Sequence, residues 1–307
     1  MTRAKPITVK LMVIRDNSTR WNSTFDSMVR AIDLYPALQL FSFENEDDLG
    51  DDKLQREDWD DIKEECAALR PFKELTLELQ SRATSGNHGS VWETLPALEL
   101  LLEHVEQLKA RVSHTDTRFA VCVNNCWQVL QKYYGRTDEN PVYAMATLLN
   151  PTLRLSYFTR HWSGELASYI PTMKTAVHKH WKDEYLAKKS TATTIPRKRT
   201  LLEAFLHHDP ISQLGDEFQQ WIAAPAVAVT AQSSNLFRWH IDNQESFPTL
   251  HQMALDTLSI PAMSTECERV FSSTKKLINP MRSLLKTDII EATECLKAWW
   301  DYRIITQ

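Results

Sequence analysis

Glycine is scarce, at 6 of 307 residues, which disfavours the tight turns that a many-stranded sheet needs. No apolar run approaches the roughly 20 residues of a membrane-spanning helix, and the opening MTRAKPITVK lacks the apolar centre of a secretory signal. Charge of one sign is missing too. With 35 basic residues against 40 acidic ones the formal charge is −5, so the whole field does not draw in phosphates, and nucleic-acid contact would need a local patch. The five cysteines, Cys66, Cys122, Cys126, Cys267 and Cys295, are odd in number and scattered. They suit free thiols in a reducing compartment, not a disulfide framework. The same composition gives the expectation of a soluble intracellular protein without a membrane partner.

What is present points to helices. The chain is 43 % hydrophobic and 24 % charged, with 10 tryptophans, the balance of a globular protein whose helices pack on aromatic side chains. A mostly α fold is expected. The one strand candidate is Ile7 to Ile14, rich in β-branched residues. Ser23 or Thr24 then caps a helix on Phe25, Met28 and Ile32. Between Glu44 and Asp61 ten acidic residues face only Lys53 and Arg56, which reads as a solvated loop, with an acidic partner-binding segment as the alternative. The stripe Val91, Leu95, Leu98, Leu102, Val105 and Val112 predicts a helix with Pro96 in its first turn. Further helical stripes run over Val121–Tyr134, over Val142–Leu149 up to Asn150-Pro151, and over Leu166–Tyr185 with Pro171 near the start. Residues 188–200, KKSTATTIPRKRT, break the periodicity and read as a basic linker, with nuclear import or phosphate contact as the functional alternative. A helix around Leu201 to Ala223 follows. Beyond it come a helix before Phe247-Pro248, a second on Leu250, Met253, Ala254 and Leu258, and a third carrying Glu268. The final helix opens near Asp288 with Glu291 as a capping box. Its stripe Leu285, Ile289, Ala292, Leu296 and Trp299, with Trp300 beside it, must be buried somewhere.

Several of these segments together resemble a known family. DNSTRWNSTFDSMVRA, LRPFKELTLEL, LPALELLLEHVE and YAMATLLNPTLRLSYF are similar to pieces of hAT-superfamily DNA transposases of the fungal type. The strongest likeness is FPTLHQMALDTLSIPAMSTECERVFSSTKKLINPMRSLLKTDIIEATECLKAWW, which resembles the family's C-terminal dimerisation region. The resemblance implies a ribonuclease-H-like core split by a helical insertion, and an Asp, Asp and Glu trio holding two divalent ions, magnesium or manganese, across an in-line phosphoryl displacement. It places both aspartates upstream of TRWNS. Fifteen residues precede Asp16, so the expectation is a chain made of the helical insertion (1–187), the linker (188–200) and the C-terminal dimerisation region (201–307, densest over 235–307), with the core sheet largely missing. The resemblance also implies a nuclear location.

Glu268 matches the family's third carboxylate. Its alternative role is structural, since Thr265 and Glu268 have capping-box spacing. Arg20 and Trp21 match the family's Arg-Trp, where the indole stacks on a displaced base; Arg269 adjoins Glu268 as a further DNA contact, and the alternative for Trp21 is core packing. No complete metal site is expected. Cys122 and Cys126 stand four apart but nothing completes a tetrahedron, His178 and His180 lie on different helix faces, and His207 and His208 diverge. From Arg269 onward seven basic residues face four acidic ones, a net of 7 − 4 = +3. Leu285, Ile289, Ala292, Leu296, Trp299 and Trp300 are the expected dimerisation residues. The reading is a truncated or domesticated hAT derivative without cofactor, acting by self-association with residual DNA contact. The alternatives are a piece of an active metal-dependent transposase and a helical scaffold with a host-recruited function.

Overall fold

The computed structural model describes residues 11–16, 21–80, 89–112, 117–187, 216–230, 235–278 and 285–301. Fourteen α-helices stand among them: α1 Trp21–Asp33, α2 Tyr35–Glu44, α3 Glu46–Leu49, α4 Arg56–Leu79, α5 Thr94–Val112, α6 Arg118–Arg136, α7 Val142–Leu149, α8 Arg154–His161, α9 Ile170–Trp181, α10 Glu217–Ala223, α11 Leu236–Asp242, α12 Leu250–Leu258, α13 Thr265–Leu277 and α14 Thr287–Asp301. The fold is mostly α, as the composition predicts. Among the described residues the pairing closest to a sheet is one antiparallel bridge between Ser90 and Pro261. None of the described helices is long and apolar enough to cross a membrane.

The chain divides into two compact units, residues 1–77 with 101–129 and residues 78–100 with 130–307. In the first, Phe25, Trp59, Cys66, Leu102, Val105 and Val123 are buried. Tyr35 meets Trp59 edge to face at 4.9 Å, and Lys73 pairs with Asp26 at 2.8 Å. Pro71 lies inside α4. It has no N–H for the carbonyl one turn back, and the neighbouring Ala68 carbonyl takes a ring nitrogen of His104 at 3.0 Å. The second unit is built on Trp181, Trp221, Phe158, Phe218, Leu148, Leu149, Leu250 and Met253, all sealed from solvent. Two of the buried indoles find acceptors for their N–H groups: Trp181 donates to the Thr249 hydroxyl at 2.8 Å and Trp221 to the Leu148 carbonyl at 2.9 Å, while the Trp92 indole nitrogen is buried without a hydrogen-bond partner.

The stripes over α5, α6, α7, α9 and α12 are found where the periodicity puts them. Four expectations change. Leu11 to Ile14 form no strand, while residues 7–10 lie outside the described set. The carbonyls of Met12 and Ile14 accept side-chain bonds from Arg30 and Ser27, so no ladder is offered to them. The acidic segment is not a loop: it holds α3, a 3-10 turn at Gly50–Asp52 and the first turn of α4, anchored by buried Trp59. Helix α1 starts ahead of its expected cap, at Trp21, and the hydroxyls of Ser23 and Thr24 instead donate to the Asp16 carboxylate at 2.8 and 2.9 Å. The capping box at Asp288 also fails in register, since α14 begins at Thr287 and Asp288 is in its first turn.

Candidate self-association surface

Helices α13 and α14 pack on each other through a small polar seam. The Ser273 hydroxyl donates to the Glu294 carboxylate at 2.9 Å, and the Lys297 ammonium donates back to the same hydroxyl oxygen at 2.5 Å. Glu294 lies in the half-buried row Ile290, Glu294 and Ala298. At about 100° per residue, the stripe read from the sequence points roughly 140–240° around the helix from Glu294. It is exposed: Ile289 49 %, Leu296 53 %, Trp299 46 % and Trp300 52 %, with Ala292 also open and Leu285 half-buried. The requirement that this stripe be covered is therefore not met by α13. On α13, Val270 and Phe271 add to the open apolar surface, Phe271 at 72 %.

Glu268 stands exposed on α13. The capping-box alternative is not what the geometry shows: the residue before α13 is Ser264, no side chain caps the helix, and the Ser264 hydroxyl donates to Glu268 at 3.4 Å. Among the described residues no three of His, Cys, Asp and Glu stand together as a metal site, so the described side chains do not assemble the carboxylate trio that the resemblance implies. Arg269 donates to the Gln80 carbonyl at 3.0 Å. Trp21 opens α1 with 44 % of its surface exposed, and Arg20 is outside the described residues. Cys122 is exposed and Cys126 half-buried on α6, where burial pushes the Cys126 thiol up. They border an apolar hollow of about 230 Å³ with Phe72, Val105 and Phe119. His178 pairs with Asp216 at 2.5 Å, and His207, His208 and the basic linker at 188–200 lie outside the described residues.

Residues 217–300 match the hAT family C-terminal dimerisation region. That stretch runs from α10 to α14 and so includes the exposed stripe. Over nearly its whole length the chain is also similar to hAT-type and BED zinc-finger proteins. It is 25 % identical to zinc finger BED domain-containing protein RICESLEEPER 2 of Oryza sativa subsp. japonica, over 94 % of this chain and 42 % of that protein. It is 24 % identical to the putative transcriptional regulator tpeD of Talaromyces stipitatus, over 92 % of this chain and 31 % of that protein. It is 22 % identical to the putative AC transposase of Zea mays, over 92 % and 36 %. The chain thus spans less than half the length of these relatives.

Two arrangements inside the second unit escaped the sequence reading. Glu99 accepts from the hydroxyls of Tyr134 and Tyr157 and from the Trp162 indole, the first at 3.1 Å and the last at 2.6 Å. Burial, then this carboxylate, pushes both tyrosine pKa values up. Glu217 accepts from the Thr249 and Leu250 N–H groups at 3.0 and 2.7 Å and from the Thr249 hydroxyl at 2.6 Å, closing the start of α12. The partners are 32 to 63 residues apart in sequence, and no local spacing announces them.

Proposed function

We propose that this chain acts by self-association through α14, as a domesticated hAT-derived protein, with residual DNA contact and a nuclear location. The observation that carries the reading is the exposed stripe on α14, turned away from α13 inside the matched region. Each leucine or isoleucine withdrawn from water contributes about 1.5–3 kcal/mol, and tryptophans are among the side chains that most often anchor interfaces. Four such side chains on one face, none covered by its own helix partner, favour a second copy as cover. The half-exposed indole of Trp21 is available to stack on a base, worth about 1–3 kcal/mol. The ribonuclease-H-like ancestry is an inference from the resemblance alone.

Light scattering at micromolar concentration tests the contact. The chain is expected at twice its 35.5 kDa mass, and Leu296→Ser with Trp299→Ser is expected as a monomer with unchanged helix content. A wild-type chain that stays monomeric removes the proposal. A second reading rests on the relatives' greater length: this sequence is part of a longer metal-dependent transposase, with Glu268 as the third carboxylate of a site completed by residues outside it. Magnesium-dependent cleavage of DNA by the longer polypeptide, lost in Glu268→Gln, would decide for that reading.

A further inference from the structure

A cleft of about 530 Å³ opens in the second unit between the end of α9 and helix α12. Its α9 side is shaped by a break in the helix period, because Lys182–Leu186 form a π-helical turn. In an unbroken α-helix Tyr185, five residues after His180, would point roughly 140° away from it. A turn bonded from residue i to i+5 widens the helix, and both side chains line the cleft together with Glu184. The His180 and Tyr185 rings meet edge to face with their centroids 6.1 Å apart. From α12 come His251, Gln252 and Asp256. The Tyr185 hydroxyl donates to one Asp256 carboxylate oxygen at 3.1 Å, which ties the two walls, and the Gln252 amide donates to the other oxygen at 2.9 Å. Single π turns are rare and recur at functional sites.

The lining is rich in acceptors and, among the described residues, holds no lysine or arginine. The Phe247 carbonyl lies 3.2 Å from His251 Nδ1. A carbonyl only accepts, so Nδ1 carries the proton and Nε2 is an acceptor with no partner among the described residues. His180 makes no hydrogen bond among them either. Asp256 forms no ion pair there, and each of its oxygens keeps a free lone pair. Lys182 is held by Asp216 at 3.8 Å instead. The two carboxylates disfavour an anion. The spread of the donors disfavours a bare metal ion, since among the described residues no three of His, Cys, Asp and Glu stand together as a metal site, and the volume falls in the range of roughly 300–1,000 Å³ that organic ligands occupy. Flat rings on one wall and acceptors on both fit a guanidinium, whose planar fork of N–H donors pairs with carboxylates, stacks on aromatic faces and sheds water more readily than an ammonium. We propose that this cleft binds a guanidinium group, with its N–H groups on the Asp256 carboxylate and His251 Nε2 and its plane against the Tyr185 and His180 rings. An arginine of a partner protein and a free arginine-like molecule share that chemistry. The site uses none of the α14 stripe and does not rest on that stripe's role.

Isothermal titration calorimetry of the full chain tests the site, with N-acetyl-arginine amide as the probe and N-acetyl-lysine amide as the ammonium control. The arginine probe is expected to saturate one site per chain in the range of about 0.1–1 mM, and the lysine probe to bind at least about tenfold more weakly. Asp256→Asn, which keeps the shape and removes the charge, is expected to weaken the arginine probe at least about tenfold. The exposed Glu184→Gln is expected to weaken it less, and an unchanged thermal midpoint shows that each variant is folded. Agmatine and a short arginine-containing peptide separate the sources: tighter binding of the peptide assigns the cleft to a protein arginine, and tighter binding of agmatine assigns it to a free ligand. Equal binding of the arginine and lysine probes overturns the guanidinium assignment. So does an arginine affinity that a folded Asp256→Asn leaves unchanged, or no saturation by any of these probes. Zinc that binds one site and is lost in Asp256→Asn, with no binding of the arginine probe, makes the cleft a metal site and also overturns the proposal. Each of these outcomes leaves the α14 reading untouched.

Discussion

His240 shows how far burial overrides the ordinary character of a side chain. Its Nε2 faces the Leu149 carbonyl at 2.9 Å, and since a carbonyl only accepts, that nitrogen carries the proton. The other ring nitrogen, Nδ1, is buried without a partner. Burial, then the nearby Arg154 charge, pulls the imidazole down to about 4. Arg154 is itself buried, at a positive φ of 50°, with its guanidinium 4.0 Å from the centre of the Trp221 ring. Burial lowers it to about 10, so it stays charged and opposes a second cation beside it. The unfolded chain protonates this histidine near 6.5 and the folded one near 4. Stability is therefore fully present above about pH 6.5 and is lost as pH falls from there toward 4, by up to about 3 kcal/mol. Urea unfolding at pH 7 and 4.5 is expected to show a smaller pH loss for His240→Gln than for the wild type. Equal losses would place the acid sensitivity elsewhere.

Glu217 is the first residue of α10 and holds the start of α12, two short helices that gain little stability alone. A carboxylate at a helix N-terminus satisfies orphan N–H groups and opposes the dipole. Glu217→Ala is expected to lower unfolding free energy by about 2–3 kcal/mol, read by urea denaturation, with Glu217→Gln between the two; an unchanged midpoint would mean that water replaces the carboxylate. None of this is legible locally, because Glu217 and Thr249 are far apart in sequence. What could be read were the long stripes of α5, α6 and α14, since an amphipathic period repeats within one helix. The acidic stretch misled for a related reason. Its charges read as a loop, yet Trp59 supplies one buried anchor, and one anchor leaves no period.

A dimer that closes over Leu296, Trp299 and Trp300 ties folding to concentration. The midpoint of thermal unfolding is then expected to rise as the chain is concentrated from micromolar to hundreds of micromolar, and the Leu296→Ser, Trp299→Ser variant is expected to lose that dependence. A midpoint that ignores concentration in the wild type argues against the contact. Helix content and the position of the apolar stripe on α14 were already written in the order of residues, because helical faces follow from the 3.6-residue period. Whether a face is covered depends on which groups meet across dozens of residues. Only the packed chain showed that α13 takes the Glu294 side of α14, leaves the tryptophans open, and holds Glu268 in solvent away from the cap its spacing implied.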